Sequence, residues 1–258
     1  MSGSDNESAT GSSWHRRLNR EHASLVRVHY PKMRLRSASP ILAGVLLAAA
    51  SRPASTQGRL IDEGTFVITK AGSPAQTESF RIRSEGNLII ATGQSVVGNR
   101  RTVSSLTADS LGTPVRYDLT VFDNGVRTLR VQVQPQSGRF AALSSDARGN
   151  ESMTEYPAAA GRSVILEDDL VHQSYLLVLG KQSGNVQVIE PHGGHRAILT
   201  LSALGPEPIE IGGRSVTATH YSLSNSLGRR DVWIDQAGRL LKVETSQGLK
   251  AVRDELPR

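Results

Sequence analysis

The chain has 258 residues, a net charge of +6 and a sequence pI near 10.0, with no cysteine and aromatics at 4%. The missing cysteine excludes disulfides, iron–sulfur and thiolate-zinc sites and a cysteine nucleophile, and so few aromatics leave no base-stacking platform, so nucleic acid is not expected as a partner. The basic balance belongs mostly to the N-terminus: residues 1–50 hold seven of the 30 basic and three of the 24 acidic residues, which leaves 23 against 21, a net of +2.

Residues 1–32 have no apolar periodicity and read as a disordered extension from an upstream start, with translation expected to begin at Met33. Residues 33–50 have the layout of a secretory signal peptide. Arg34 and Arg36 are followed by the apolar run Pro40–Ala50, in which Ala48 and Ala50 stand at the −3 and −1 cleavage positions. The run is well short of the ~20 residues that span a bilayer, so no stable membrane anchor is expected. The prediction is a mature domain over 51–258, exported to the periplasm or the exterior.

From Gly58 onward the apolar period is two. TLRVQVQ (128–134) sets Leu129, Val131 and Val133 on one face and Arg130 and Gln132 on the other, a half-buried strand. Similar runs are GTFVITK (64–70), ESFRIRS (78–84), NLIIATG (87–93), VRYDLTVF (115–122), RSVTATHYSLS (214–224), DVWID (231–235) and RLLKVET (239–245). Asp123-Asn124-Gly125, Gly212-Gly213 and Asp235–Gly238 suit tight turns with left-handed backbone. The predicted fold is mainly β: a curved antiparallel sheet, half-barrel or open barrel, in one domain. Arg139–Gly161 has the weakest pattern and reads as a long loop or an irregular edge.

One helix is expected, over Leu166–Lys181, with Glu167, Asp168 and Asp169 at its start and Gly180 as its C-cap. Val171, Tyr175 and Leu179 would form one α-helical stripe; a strand over Tyr175–Leu179 is the competing reading. After it, Glu190-Pro-His-Gly-Gly-His-Arg196 places His192 and His195 three apart. With Glu190 they could ligate a metal, or they are exposed polar residues of a tight turn. No nucleophile elbow, zinc-protease motif, phosphate cradle or dinucleotide glycine fingerprint is present. A non-enzymatic role without a cofactor is therefore favoured, with an exported hydrolase or metal-dependent enzyme near His192/His195 as the alternative.

The most distinctive stretch is the C-terminal one. Trp233 stands between Asp231 and Asp235 on one strand face, as a packing residue or as the wall of a ligand groove. The patterns from Ile211 to Tyr221 (IGGRSVTATHY) and from Val232 to Val243 (VWIDQAGRLLKV) resemble those of uncharacterised bacterial exported proteins. The curved sheets of that group are similar to the periplasmic lipoprotein carriers of the LolA and LolB type. The resemblance implies a half-barrel that cups an acyl chain under a helical lid, with a lipid or lipidated protein as partner. The candidate ligand-binding residues are Val171, Tyr175, Leu179, Tyr221 and Trp233. A third possibility is a structural or assembly protein that offers a sheet edge to a partner strand.

Overall fold

The computed structural model describes residues 58–257, apart from Gly72, Pro74 and Gln182. The expected upstream extension and signal peptide lie outside the described residues. The strands are β1 (Arg59–Lys70), β2 (Gln76–Glu85), β3 (Leu88–Val97), β4 (Arg100–Asp109), β5 (Pro114–Asp123), β6 (Val126–Gln136), β7 (Arg139–Asp146) and β8 (Glu151–Pro157). They continue with β9 (Arg162–Ile165), β10 (Gly184–Glu190), β11 (His195–Ile211), β12 (Arg214–Asn225), β13 (Gly228–Ile234), β14 (Leu240–Thr245) and β15 (Leu249–Arg253).

All of them belong to one 15-stranded sheet of order β8-β7-β6-β5-β4-β3-β2-β1-β15-β14-β13-β12-β11-β10-β9. Sequential neighbours pair antiparallel because tight turns join them. Asn124 and Gly125 take φ of 51° and 79°, and Gly212 and Gly213 take 56° and 75°, as the turn chemistry predicts. The first and last strands meet: β1 pairs with β15 from Phe66↔Arg253 to Lys70↔Leu249. A buried ion pair between Asp62 and Arg253 clamps that junction, with the guanidinium also donating to the Leu240 and Glu63 carbonyls and lying over the Phe80 ring.

The sheet does not close. Its ends, β8 and β9, follow one another in the chain but are not hydrogen-bonded. Instead β9 packs against β5, while Val131, Val133, Phe140, Ala142 and Tyr156 of β6–β8 still belong to the main core. The Gln187 side chain on β10 links the ends by donating to Pro157 O at 2.9 Å and accepting from the Ala159 N–H at 2.8 Å.

Side chains of one parity fill the interior, among them Phe66, Ile68, Ile82, Leu106, Leu119, Val131 and Val232. A smaller cluster on the other sheet face contains Ile209, Ile211, Ala218, Trp233 and Leu241. A register shift between Ala203 and Gly205 brings the two isoleucines into it. One extra residue there reverses which β11 side chains face outward, so Leu201 is interior while Ile209 and Ile211 are not.

Two expectations need correcting. Arg139–Gly161 is an edge and not a long loop, because it contains β7 and the terminal strand β8. The helix is not α-helical over Leu166–Lys181; a 3-10 segment starts at Val171, and Leu179 (ψ 132°) and Gly180 (φ 74°) end its regular part.

At Gly238 (φ 82°), whose N–H donates to Asp235 O at 3.0 Å, a Cβ would meet no atom within 4 Å. Gly238→Val therefore costs backbone strain alone, about 1–2 kcal/mol, and thermal unfolding should show Tm lowered by about 2–8 °C. An unchanged Tm would refute the left-handed turn.

Candidate functional site: a polar-keyed segment inside the sheet

After β9 the chain turns into the concave side of the sheet, runs through it, and emerges at β10. It is the crossover that the parallel β9–β10 pair requires. Leu166, Leu170, Val171, Leu176 and Leu177 are buried, as expected of a helix enclosed on all sides. Yet three consecutive residues of this segment, His172, Gln173 and Ser174, are polar and have no exposed surface. A 3-10 helix has 3.0 residues per turn, so such a triplet points in directions about 120° apart. Each member meets its own polar partner in the wall.

His172 faces β2. Its Nδ1 lies 2.7 Å from Glu78 Oε1, and the same carboxyl group accepts the Val171 N–H at 2.7 Å and the His172 N–H at 2.8 Å. Glu78 thus caps the start of the segment, where helical N–H groups have no partner. The His172 ring stacks over Phe80 and sits on Gly93, where a Cβ would come within 2.3 Å of it. Only glycine fits at that point of β3.

Gln173 faces β5. Its Oε1 accepts the Glu167 N–H at 2.7 Å and its Nε2 donates to the Tyr117 hydroxyl at 3.3 Å. That hydroxyl donates in turn to Glu167 Oε1 at 3.1 Å, and the His192 N–H donates to the same oxygen at 3.2 Å. Ser174 faces β13, where Arg230 Nη1 donates to its hydroxyl at 3.3 Å while Nη2 lies 3.3 Å from Asp168 Oδ1. In the sheet, β3 and β4 separate β5 from β2, and β1, β15 and β14 separate β2 from β13. The segment is keyed to three separate parts of the wall. From β9, Arg162 donates to the Leu177 carbonyl at 2.7 Å and to the Leu176 carbonyl, which fixes the far end.

Burial pushes the Glu167 carboxyl up to about 8, with the nearby Glu190 adding to the shift and the His192 N–H and Tyr117 opposing it. Burial likewise raises Glu190 and lowers His192, and it lowers Arg230 against the pull of Asp168, Glu190 and Glu78. At neutral pH Glu167 is therefore a neutral acid within a hydrogen-bonded network.

The acidic triplet does not form the first helical turn that the sequence suggested, and of its members Asp168 and Asp169 are exposed. Glu167 is buried, Asp168 pairs with Arg230, and both precede the helical residues. The Val171–Tyr175–Leu179 stripe does not form either, because at three residues per turn positions i and i+4 diverge. Val171 and Tyr175 are buried in the main core, Leu179 is half-buried beside it, and Tyr221 belongs to the same core. Trp233 lies on the opposite sheet face. His220 stacks on it at 4.3 Å, Lys242 Nζ lies 4.1 Å from its centroid, and its indole N–H donates to Glu207 at 3.2 Å. The five residues do not line one cavity.

His195 begins β11 and pairs with Glu190, while His192 engages Glu167 through its backbone. Among the described residues, no group of three or more His, Asp or Glu side chains is placed to hold a metal ion. Sequence reasoning missed Glu78, Gly93, Gln173 and Arg230. Glu78 carried a legible signal, since it shares the inward parity of Phe80 and Ile82 in ESFRIRS.

Comparison with known proteins gives a family-level match over residues 158–256, to a domain of unknown function, DUF6134. A solved structure with a similar fold is a beta-barrel-like protein of the domain of unknown function DUF1849 from Brucella abortus. It is 9% identical, with a TM-score of 0.48, and the match covers 77% of this chain and 98% of that one. No curated protein matches the chain. The curved sheet implied by the carrier resemblance is present, whereas likeness to the LolA and LolB carriers themselves is not shown.

Because folded Glu167 keeps its proton up to about pH 8 while the unfolded chain loses it near 4.5, this group's contribution to stability is complete below about pH 4.5. It is lost as pH rises through 8, a loss on the order of 5 kcal/mol. Urea unfolding at pH 5 and pH 8.5 should show that decline, and Glu167→Gln, which keeps a neutral side chain, should flatten it. An equally steep decline in the variant would refute the assignment.

Proposed function

We propose that the protein is an exported, non-enzymatic cell-envelope protein that engages a protein partner through the free edge of its sheet. The observation that carries this reading is β8. It lies at the end of the sheet, and six of its seven residues are exposed, including side chains on both faces. Among the described residues, no other strand is exposed over so large a fraction of its length. An unpaired strand edge offers main-chain hydrogen bonds that an extended segment can complete. The concave side, where the carrier resemblance implies a ligand, holds the chain's own residues 166–178.

A second reading keeps the amphipathic ligand, a lipid or lipidated partner, in the concave face after the inner segment withdraws. It is favoured by the polar character of that segment. Buried polar contacts such as His172–Glu78 specify a docking geometry but carry a desolvation penalty that an apolar plug would avoid.

Native mass spectrometry of protein isolated from its own host discriminates the two. The edge reading expects a bound protein partner that is lost in Met153→Pro, a substitution that removes one free-edge N–H at an exposed position. A co-isolated lipid with no protein partner would overturn it in favour of the ligand.

A further inference from the structure

We infer that the β8 edge takes an extended strand from a different protein, one whose outward face alternates cationic, apolar and cationic side chains. This rests on the edge-binding reading and adds the chemistry of the partner. Along β8, Glu151, Met153 and Glu155 share the outward face. Ser152 and Thr154 share the other with Tyr156, which is buried in the core. Among the described residues, nothing pairs with the far edge of β8. Met153 is 65% exposed although it stands opposite Leu143 on β7. Beside the two runs a groove of about 450 Å³ lined by Gln132, Gln134, Pro135, Ala141, Leu143 and Met153. The strand's outer surface is thus an uncharged strip ending in an uncovered methionine with a carboxylate on either side.

Acidic residues on an edge commonly guard against unwanted pairing, and here they do so selectively. If a second copy paired antiparallel so that each Met153 covered the other, Glu151 of each strand would face Glu155 of its mate. Like charges directly opposite one another are unfavourable. The charges that oppose self-pairing attract a strand with Lys or Arg two positions either side of an apolar residue. Glu151 makes no ion pair or side-chain hydrogen bond among the described residues, so it is available to such a strand. The other pair reaches inward: Glu155 bonds Arg139 on β7, leaving its free-edge side open. The one further cation close in sequence, exposed Arg148, lies in the turn before β8 rather than on the strand. Pro157 has no N–H and ends the ladder, which limits the partner segment to about six paired residues.

Three short peptides of alternating pattern test this by fluorescence anisotropy on the full chain. Their outward faces read lysine–isoleucine–lysine, serine–isoleucine–serine and glutamate–isoleucine–glutamate. The lysine peptide should bind about tenfold more tightly than the glutamate peptide. Added salt should narrow the gap, and Glu151→Lys, at a surface position outside every described ion pair, should abolish it, since one cation and one carboxylate then flank Met153. Equal affinity for all three peptides would overturn the charge inference while leaving edge binding standing. No binding of any peptide would overturn both, and a β8-mediated homodimer in sedimentation would replace the foreign strand with a second copy.

Discussion

The interior depends on one carboxyl group. A segment led through the concave side of a sheet brings backbone N–H groups to a place with no water, and the first of them have no helical partner. Glu78 answers two of these donors and the His172 ring together, at 2.7–2.8 Å. Removing its carboxyl group would strand groups whose burial costs about 1–3 kcal/mol each when unpaired. Gly93 completes the arrangement by leaving room for the ring that Glu78 orients.

From that anchor the rest of the inner segment follows. The threefold geometry of a 3-10 turn sends the next two side chains to Tyr117 and Arg230, so that one turn of backbone ties together β2, β5 and β13. Burial then sets the electrostatics. Burial keeps Glu167 neutral at neutral pH, against the Tyr117 hydroxyl and the His192 N–H that donate to its carboxyl group. The DUF6134 match begins at residue 158 and therefore includes the inner segment and Arg230. Glu78, Gly93 and Tyr117 lie in strands outside it, so two of the three wall partners come from the part of the chain that the match leaves uncovered.

Much of the sheet was legible in the sequence. TLRVQVQ is a strand with Val131 and Val133 buried and Leu129 half-buried, as alternation required, and the turns at Asn124-Gly125 and Gly238 have the backbone their residues prescribe. β4 was not legible because its inward residues, Thr102, Ser104, Leu106 and Ala108, are mostly small or polar and blur the apolar period. β8 escaped because a strand with both faces exposed has no apolar face to alternate. The inner segment was visible as a helix but misread in type and setting, since Val171, Tyr175 and Leu179 fit an α-helical stripe by spacing alone. Nothing local in His172-Gln173-Ser174 says that the three residues are wholly buried, because their partners lie in strands far along the chain.

A filled interior leaves the proposed recognition to the outside of the molecule, where β8 is the longer and more exposed of the two terminal strands of the sheet. It also makes the inner segment a structural element with the stability of the whole domain. Amide hydrogen exchange at Val171 and His172 tests this most directly, since local opening and global unfolding exchange at different free energies. Both amides should exchange as slowly as those of Ile68 and Val131 in the core strands, and only through global unfolding. Exchange at these two positions faster than in the core strands, by orders of magnitude, would show that the segment leaves the interior on its own and would contradict the account.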